Sequence, residues 1–417
     1  MEDNKGLCAA LSSGIPVLPL FIFDREILDD LPSRYDRRVD YIHQALQHVN
    51  QQLAHFGSTV LVKEGKVLDV FQELLEEYAI QAVYCNRDYE PQAIRRDQAV
   101  HELLQRHHIR FQDYKDQVIF EKDEICKEDG SPYTVYGPYA RKWRSKLTEK
   151  SLRPQDVGTT KNYLHREWME IPSLEGLGFE KTDMVFRRPS IDPYILENYK
   201  QYRDFPAMEH GSQLGIALRF GTISVRQCVR AALEYEETWL AQLIWREFFM
   251  QILYHFPQVV EQSFKPQYDR IEWRNNPEEF NRWCAGETGY PLIDAGMRQL
   301  LLTGNMHNRV RMLVASFLCK HLLIDWRWGE AYFAEKLNDY DLAANNGNWQ
   351  WAAGTGCDAA PYFRIFNPTT QIKKFDSAYA YIHRWNPEFE QGVHPPIVEH
   401  DIARKRALDA YKKALTH

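Results

Sequence analysis

One stretch decides the fold, Leu337–Trp351, which reads LNDYDLAANNGNWQW and combines acids, amides, a glycine and two tryptophans. Trp349 and Trp351 lie two residues apart, so their side chains point in nearly opposite directions in a strand and also in a helix. Ionised Asp339 and Asp341 only accept hydrogen bonds, whereas each asparagine amide both donates and accepts. The run can therefore hold a flat, polar ligand by several edges. The alternative is an Asn-Gly turn between helices that leaves both tryptophans in the core.

Further motifs flank this stretch in a fixed order. They are Ala352–Pro368 directly after it, and Trp245–Phe249, Thr288–Ala295, Met306–Arg309 and Leu322–Trp326 before it. Together these motifs resemble the flavin-binding core of the DNA photolyase and cryptochrome family, and most closely its class I enzymes for cyclobutane pyrimidine dimers. The resemblance implies a two-domain flavoprotein.

Length and composition describe an ordinary globular protein. The chain has 417 residues, with 44% hydrophobic and 26% charged residues, which predicts two to three domains. Its 11 tryptophans and 13% aromatic content are high. They indicate either stacking and electron-transfer roles or a large helical core rich in aromatic residues.

The formal net charge of −7 argues against a protein that binds nucleic acid with its whole surface. A binding face needs only local basicity, however, and several arginines and lysines are available for one. The candidates are Arg187, Arg188, Arg203, Lys265, Arg270, Arg274, Arg309, Lys373 and Lys374.

Cysteine usage and the apolar segments predict the compartment. The seven cysteines are scattered, odd in number and without a pair at metal-ligand spacing, which indicates a reducing compartment and no metal site. The start is polar, and the apolar run Ile15–Phe23 is too short to span a bilayer. We expect a cytoplasmic monomer that makes no contact with membranes.

The first third of the chain alternates strand and helix patterns. Strands are predicted at Pro16–Phe23, Thr59–Val62 and Ala82–Cys85, and helices at Val39–Phe56, Val67–Tyr78 and Ala93–Arg106. This alternation is typical of an α/β domain with a doubly wound parallel sheet. Family members begin with a further strand that ends in an Asp-Asn pair, whereas this sequence enters at Met1–Asn4. We therefore expect that the first strand is missing, which would expose part of the sheet, or that the start of the sequence is misplaced.

We predict an α/β antenna-type domain at residues 1–125, a connecting segment at 126–193 and an all-α flavin-binding and DNA-binding domain at 194–417. Gly, Pro and Ser are frequent in the connection, and Tyr133–Tyr139 resembles the segment that closes the family's first domain. After about residue 195 the apolar spacing is helical almost throughout. The last helix, Ile402–Leu415, is predicted to be a solvated terminal helix.

The resemblance implies that FAD is bound in a folded-back form. The matching positions are Tyr199, Trp239, Arg246, Arg311, Asp339, Tyr340, Asp341 and Asn345, with a diphosphate loop at Gly211, Ser212, Gln213, Leu214 and Gly215. It places Arg246 near the phosphates, Arg311 on Asp339, Asp341 toward the ring edge and Asn345 at the flavin N5. The alternative is that the arginine-aspartate pair is purely architectural.

The diphosphate loop departs from the family, which usually has Gly-Thr-Ser-x-Leu-Ser or Gly-Thr-Ser-x-Leu-Gly. Gly211 replaces the threonine, while Ser212 and Leu214 are kept. Backbone N–H groups can still cradle a phosphate, so we expect binding with one hydrogen bond fewer, at a cost of about 1 kcal/mol.

Trp349, Trp326 and Trp273 match the chain of tryptophans that carries an electron from the surface to the excited flavin. The flavin performs the redox chemistry, and the protein supplies placement and electrostatics. The alternative for each tryptophan is core packing.

The resemblance also implies a cavity for damaged DNA. Its residues are Arg203, Gln242, Trp245, Asn308, Arg309, Met312, Trp351 and Gln371, with Arg203 and Arg309 contacting phosphate. A lesion must leave the duplex and stack on aromatic and apolar side chains, and photolyases are among the enzymes that extrude a base in this way. Asn308 and Met312 match the cyclobutane-dimer branch, whereas the (6-4) branch carries histidines at both positions.

Gln242 departs from the cyclobutane-dimer enzymes, which usually have glutamate there. Glutamine keeps both kinds of hydrogen bond but cannot exchange a proton, so we expect repair to be slowed rather than abolished. The catalytic set that the resemblance implies is Trp273, Trp326, Trp349, Asn345 and Gln242.

The resemblance favours blue-light-driven repair of cyclobutane pyrimidine dimers by electron transfer from reduced FAD. The alternatives are a cryptochrome-like photoreceptor, a (6-4) enzyme and an inactive flavoprotein whose motifs are kept for packing. Asn86–Pro91 resembles the strand end near the family's antenna pocket, and a second chromophore there could be a folate, a deazaflavin or a flavin.

Overall fold

The computed structural model describes residues 2–155, 162–208, 210–392 and 394–416. The chain forms two compact units that interleave along the sequence. The first comprises Met1–Glu121, Leu147–Ile191 and Leu214–Ala231, and the second comprises Lys122–Lys146, Asp192–Gln213 and Ala232–His417. An N-terminal α/β part and a helical part are thus present. The sequence-based boundaries at 125 and 193 remain a prediction, and part of the connecting segment, 156–161, lies outside the described residues.

Four short strands occur among the described residues, and all are parallel. They are β1 Leu20–Asp24, β2 Leu61–Gly65, β3 Ala82–Asn86 and β4 Arg110–Tyr114. β1 pairs with β2 from Leu20 opposite Leu61, and β3 pairs with β4 from Ala82 opposite Arg110. The sheet is therefore described as two parallel pairs.

The helices before residue 236 are mostly short. They are α1 Lys5–Leu11, α2 Arg25–Leu28, α3 Arg37–Ala54, α4 Val67–Glu77, α5 Pro91–Arg106, α6 Tyr136–Lys146, α7 Glu149–Leu152, α8 Pro193–Glu197, α9 Tyr199–Tyr202, α10 Gly215–Arg219 and α11 Val225–Tyr235. The described helices after them are α12 Glu237–His255, α13 Pro277–Ala285, α14 Pro291–Thr303, α15 Asn308–Ser316, α16 Trp326–Lys336, α17 Leu342–Ala353, α18 Pro368–Phe375, α19 Ala380–Trp385 and α20 His400–Thr416, with a π-helical turn at Phe317–Leu322. In the part of the chain that the structure describes, no helix is long and apolar enough to cross a membrane.

The predicted strand Pro16–Phe23 is wrong at its start. β1 begins only at Leu20, because Pro16 and Pro19 have no backbone N–H to donate to a ladder. Val17 instead forms an isolated parallel bridge with Tyr163. α1 and β4 were not predicted; the β4 sequence, RFQDY, carries too few apolar residues to stand out as a buried strand.

Helices α4 and α5 cover strands from both pairs. Phe71 of α4 and Leu104 of α5 lie in one buried cluster, against which Leu20 of β1, Val83 of β3 and Phe111 of β4 pack. The helix starts follow local rules. Asp36, for example, caps α3 by accepting hydrogen bonds from the two backbone N–H groups of Arg38 and Val39.

From Leu342 onward the stretch that decides the fold is a helix, so the interpretation of Asn346-Gly347 as a turn is wrong. α17 begins after Asp341, whose carboxylate accepts a hydrogen bond from the Ala344 N–H at 2.8 Å. Gly347 lies inside the helix because Phe249 packs directly on it, and a Cβ there would come within 2.1 Å of the Phe249 ring. The helix ends at Gly354, which adopts a left-handed φ of 87°.

The terminal helix α20 is not a solvated appendage, contrary to the prediction. Tyr411 is fully buried, and its hydroxyl donates to the Ala353 carbonyl at 2.7 Å. The ammonium of Lys320 donates to the same carbonyl at 2.6 Å and lies 3.7 Å from the Tyr411 ring centre. Burial lowers the pKa of Lys320 to about 7. The period of three and four in α20 therefore marks a packed face, which Ala403 and Ala407 extend.

Gly329 in α16 is tightly packed in the main core of the helical unit. We expect this position to be sensitive to a larger side chain. An added Cβ would lie 2.1 Å from the Trp349 indole and 2.6 Å from Leu318. We expect Gly329→Ala to lower the free energy of unfolding, because overpacking costs about 1–3 kcal/mol and only about 1 kcal/mol is regained as helix propensity. Urea unfolding measures the difference. Gly137→Ala is the control, since its nearest atom outside the local backbone is 3.7 Å away; equal stability of the two variants would contradict this packing argument.

Candidate functional site

Helix α12 carries four of the predicted site residues, and Phe249 of the Trp245–Phe249 motif lies on the same helix. Trp239 and Phe249 are buried, and Gln242, Trp245 and Arg246 are half-buried. Their spacing of three and four keeps them along one side of the helix. α12 packs against α17, and the Phe249 ring lies directly on Gly347 of the Leu337–Trp351 stretch.

One face of Trp245 is already covered. Tyr136 stacks on the indole with ring centres 3.7 Å apart and planes 6° from parallel, and its hydroxyl donates to the Ala241 carbonyl at 3.0 Å. Phe249 lies 5.4 Å from the same indole. A flat ligand must therefore use the opposite face of Trp245. The sequence analysis did not identify Tyr136 as a site residue, although it lies in the Tyr133–Tyr139 segment.

Gln242 is held by two long contacts. Its Oε1 accepts from the guanidinium of Arg203 at 3.4 Å, and its Nε2 donates to the Thr238 carbonyl at 3.4 Å. Both distances lie at the weak end of hydrogen bonding, so the amide can reorient toward a ligand at small cost. Arg203 in turn lies over the Tyr199 ring, 5.3 Å from its centre.

The two arginines predicted to contact phosphate share one carboxylate. Arg309 donates to Asp204 Oδ1 at 2.5 Å, and Arg203 Nε lies 3.9 Å from the same oxygen. Arg309 also stacks over Phe375 at 4.4 Å and lies 3.9 Å from the Met312 sulfur. Asp204 is not among the predicted site residues, since nothing in the sequence alone places this aspartate beside Arg309.

The other DNA candidates are distributed less tightly. Asn308 is exposed at the start of α15, while Trp351 and Gln371 are half-buried. Lys373 and Lys374 are exposed near the end of α18. Among the remaining basic candidates, Arg274 is bound by Glu279 at 2.7 Å and Arg188 by Glu2 at 2.6 Å, so neither cation is uncompensated.

The predicted pair of Arg311 and Asp339 is present. One guanidinium nitrogen lies 3.1 Å from each carboxylate oxygen, and Arg311 Nε donates to the Met306 carbonyl at 2.7 Å. Beside this pair, His307 accepts the backbone N–H of Arg309 on Nδ1 at 3.2 Å. Burial and the neighbouring Arg311 lower the pKa of His307 to about 4, so the ring is neutral at physiological pH and can accept this bond.

Asn345 is oriented by a glutamate that the sequence analysis missed. Its amide nitrogen donates to both the backbone carbonyl and Oε1 of Glu330, at 3.0 and 2.9 Å. Burial raises the pKa of Glu330. With both amide hydrogens engaged, the Asn345 oxygen has no donor among the described residues, and it can accept a hydrogen bond from a ligand. This free acceptor fits a flavin edge that carries an N–H group.

The segment predicted to bind the diphosphate crosses a sequence boundary of the units, with Gly211–Gln213 before it and Leu214 and Gly215 after it. Gln213 has a left-handed φ of 54°, which is uncommon for a residue with a Cβ. Leu214 is buried, and Gly215 begins the short helix α10. Glu209, directly before the loop, lies outside the described residues.

The three predicted tryptophans lie in or against one core cluster. Trp326 and Trp349 are buried in it, and half-buried Trp273 packs against it. Trp349 meets the Phe333 ring at 5.0 Å and Trp283 at 6.2 Å. The Trp326 indole N–H is buried without an acceptor among the described residues, so this indole is not anchored by a hydrogen bond.

Comparison with known proteins identifies the family. One family model, described as the FAD binding domain of DNA photolyase, matches residues 239–394, and another, DNA photolyase, matches residues 1–156. A deoxyribodipyrimidine photo-lyase of a Synechococcus species is 36% identical over 99% of this chain and 94% of its own length. That of Escherichia coli is 35% identical over 99% and 96%.

Solved structures agree with this result. A bacterial class III photolyase from Agrobacterium tumefaciens matches with a TM-score of 0.87 and 31% identity over 100% of this chain and 95% of its own. An archaeal photolyase from Sulfolobus tokodaii, solved with two FAD molecules, matches with a TM-score of 0.84 and 32% identity over 99% and 97%. With relatives this similar over nearly the whole chain, the protein belongs to the DNA photolyase family.

Proposed function

We propose that this protein is a light-driven lyase that splits cyclobutane pyrimidine dimers in DNA, with FAD as its cofactor. The observation that carries the proposal is the facing pair of helices. α12 supplies Trp245, covered on one face by Tyr136, and Gln242 one turn before it. α17 packs against α12 and supplies Asn345 with an unused carbonyl oxygen. The relatives named deoxyribodipyrimidine photo-lyase support the same reaction.

The cofactor residues have distinct tasks in this proposal. Bound and reduced FAD supplies, after absorbing blue light, the electron that starts dimer splitting. Glu330 fixes the Asn345 amide so that the carbonyl oxygen accepts from the flavin edge. The Arg311 and Asp339 pair holds its geometry through bonds to both carboxylate oxygens. Arg246 and the backbone of residues 211–215 are assigned to the diphosphate.

The lesion is held by aromatic and cationic groups. A flipped-out dimer stacks on the face of Trp245 opposite Tyr136, and Met312 and Trp351 supply further apolar surface. Gln242 donates its amide hydrogens to the lesion after leaving its long contact with the Thr238 carbonyl. Arg203 and Arg309 contact the flanking phosphates, with Asn308 and Gln371 at the rim.

The electron path and the antenna are further parts of the proposal. Trp349, Trp326 and Trp273 are assigned to the relay that recharges the flavin from the protein surface, because two of them are buried in one core and the third lies at its border. A second chromophore is assigned to the α/β part, near Asn86–Pro91. The neighbour solved with two FAD molecules supports a flavin there.

We also propose that the two parallel strand pairs belong to a single doubly wound sheet. One apolar cluster beneath α4 and α5 takes in residues of β1, β3 and β4, which supports a sheet that continues from one parallel pair to the other. The crossover helices would then lie on both of its faces.

A photoreceptor without repair activity is the second candidate, and Gln242 favours it because this residue cannot exchange a proton. One assay distinguishes dimer repair from photoreception without repair. We expect purified, photoreduced protein to remove a thymine dimer from a short oligonucleotide under blue light but not in the dark. Gln242→Glu should act faster, since a carboxyl group can hold and return a proton. Repair by the variant alone, with flavin bound in both proteins, would instead support the photoreceptor.

Asp204→Asn should strengthen binding to undamaged DNA. The carboxylate offsets the charge of Arg203 and Arg309, and its loss should tighten binding about fivefold at low salt, corresponding to ~1 kcal/mol for a unit charge near phosphate. The gain should fade as salt rises. Fluorescence anisotropy measures it. Asp401→Asn, which removes an exposed charge on α20, serves as the control. Weaker binding by Asp204→Asn would mean that the carboxylate is needed to position Arg309.

Trp349→Phe should block light-driven reduction of the bound flavin by an external donor, because phenylalanine is much harder to oxidise than tryptophan. The loss of the oxidised flavin absorption under blue light reports the rate. Trp283→Phe is the matched control, since Trp283 is buried and contacts Trp349 edge-on at 6.2 Å but is not part of the proposed relay. Equal slowing in both variants would indicate a packing effect rather than a relay.

A further inference from the structure

Three different metal-ligating side chains meet at the end of α12, away from the residues discussed above. Asp123 lies in the 3-10 turn Lys122–Glu124, Cys126 follows this turn, and His255 is the last residue of α12. Their ligand atoms all lie within 4.8 Å of one another, and His255 Nε2 is 3.6 Å from Asp123 Oδ1. The cluster therefore joins two segments that are distant in sequence.

The surrounding backbone fixes two of the three ligands. Cys126 and Pro132 form an isolated antiparallel β-bridge, and the adjoining Lys127 N–H donates to the Ser131 carbonyl at 2.9 Å. The thiol therefore lies at the base of a closed hairpin. His255 lies on a regular helix, and its Nε2 makes a long contact of 3.3 Å to the Lys122 carbonyl. The Asp123 side chain is 76% exposed and can rotate.

The spacing suits tetrahedral coordination. Metal bonds of about 2.0–2.3 Å at tetrahedral angles separate neighbouring ligand atoms by roughly 3.3–3.7 Å. The histidine-aspartate distance of 3.6 Å already lies in this range, and no two of the three ligand atoms are more than 4.8 Å apart. A thiolate and a carboxylate together neutralise a divalent ion, while the neutral imidazole adds no charge.

We propose that Asp123, Cys126 and His255 bind a zinc-class divalent ion, with water as the fourth ligand. Sulfur and nitrogen donors favour zinc over magnesium or calcium, which prefer oxygen ligands. On binding, the thiol proton passes to solvent. The ion would attach the Cys126 hairpin to the end of α12, the helix that carries Trp239 to Phe249. No metal site was predicted from the sequence, because the spacing of the cysteines alone does not show that His255 lies close to Cys126.

Calorimetric titration of the chelator-treated, full-length protein with zinc tests the proposal without light or DNA, so its result does not depend on the proposed lyase function. We expect one zinc ion per chain with a Kd of about 1 µM or tighter, and a loss of more than about tenfold in affinity for Cys126→Ser and for His255→Asn. Cys284→Ser, another half-buried cysteine, is the matched control. Equal binding by all four proteins would mean an adventitious ion only and would overturn the site.

A second measurement avoids any risk that a variant misfolds. In the unaltered protein, zinc should slow alkylation of Cys126 more than about tenfold, because a coordinated thiolate is withdrawn from the reagent. Alkylation of Cys284 should be unaffected, and peptide mass spectrometry separates the two sites. Unchanged labelling of Cys126 at saturating zinc would rule out coordination by this thiol.

Discussion

The close approach of α12 and α17 depends on a single missing side chain. At Gly347 the Phe249 ring occupies the space that any Cβ would fill, so the two helices meet at van der Waals distance. This contact sets where Gln242 and Trp245 lie relative to Asn345 and Trp349. Glycine in a helix costs about 1 kcal/mol in propensity, and burial of the Phe249 ring offsets this cost. The same arrangement recurs at Gly329, which receives the Trp349 indole.

Charge in the helical unit is arranged as pairs rather than as a uniformly basic surface. Asp204 lies against Arg309 and near Arg203, and Asp339 holds Arg311. A net charge of −7 is therefore compatible with DNA binding if phosphates compete with these carboxylates for the same guanidinium groups. Such competition weakens binding to any DNA. The extra contacts of a flipped lesion must then supply the difference, which favours damaged sites over undamaged duplex.

Sequence patterns predicted what depends on local order and missed what depends on tertiary placement. The structure has the predicted helices and the three apolar strands of the α/β part, and it has the Arg311–Asp339 pair. A strand boundary shifts where proline lacks a backbone N–H donor, as at Pro19. Tyr136, Asp204 and Glu330 were missed, because each acts on a residue that the motifs identify but lies elsewhere in the chain. The predicted Asn-Gly turn is wrong for the same reason. Gly347 lies within a helix where the Phe249 ring packs on it, and the local sequence does not show this tertiary contact.

Glutamine instead of glutamate at position 242 changes two properties of the site, namely how firmly Arg203 is held and whether a proton can be exchanged. A glutamate at this position would lie within reach of Arg203, whose guanidinium is 3.4 Å from the present amide oxygen. The resulting ion pair would hold Arg203 more firmly and compete with phosphate, as Asp204 already does. Glutamine leaves Arg203 with weaker local partners and gives up proton exchange. In the proposed function, the residue therefore favours retention of DNA over speed of proton handling, and both effects act on the side of α12 that is proposed to face the lesion.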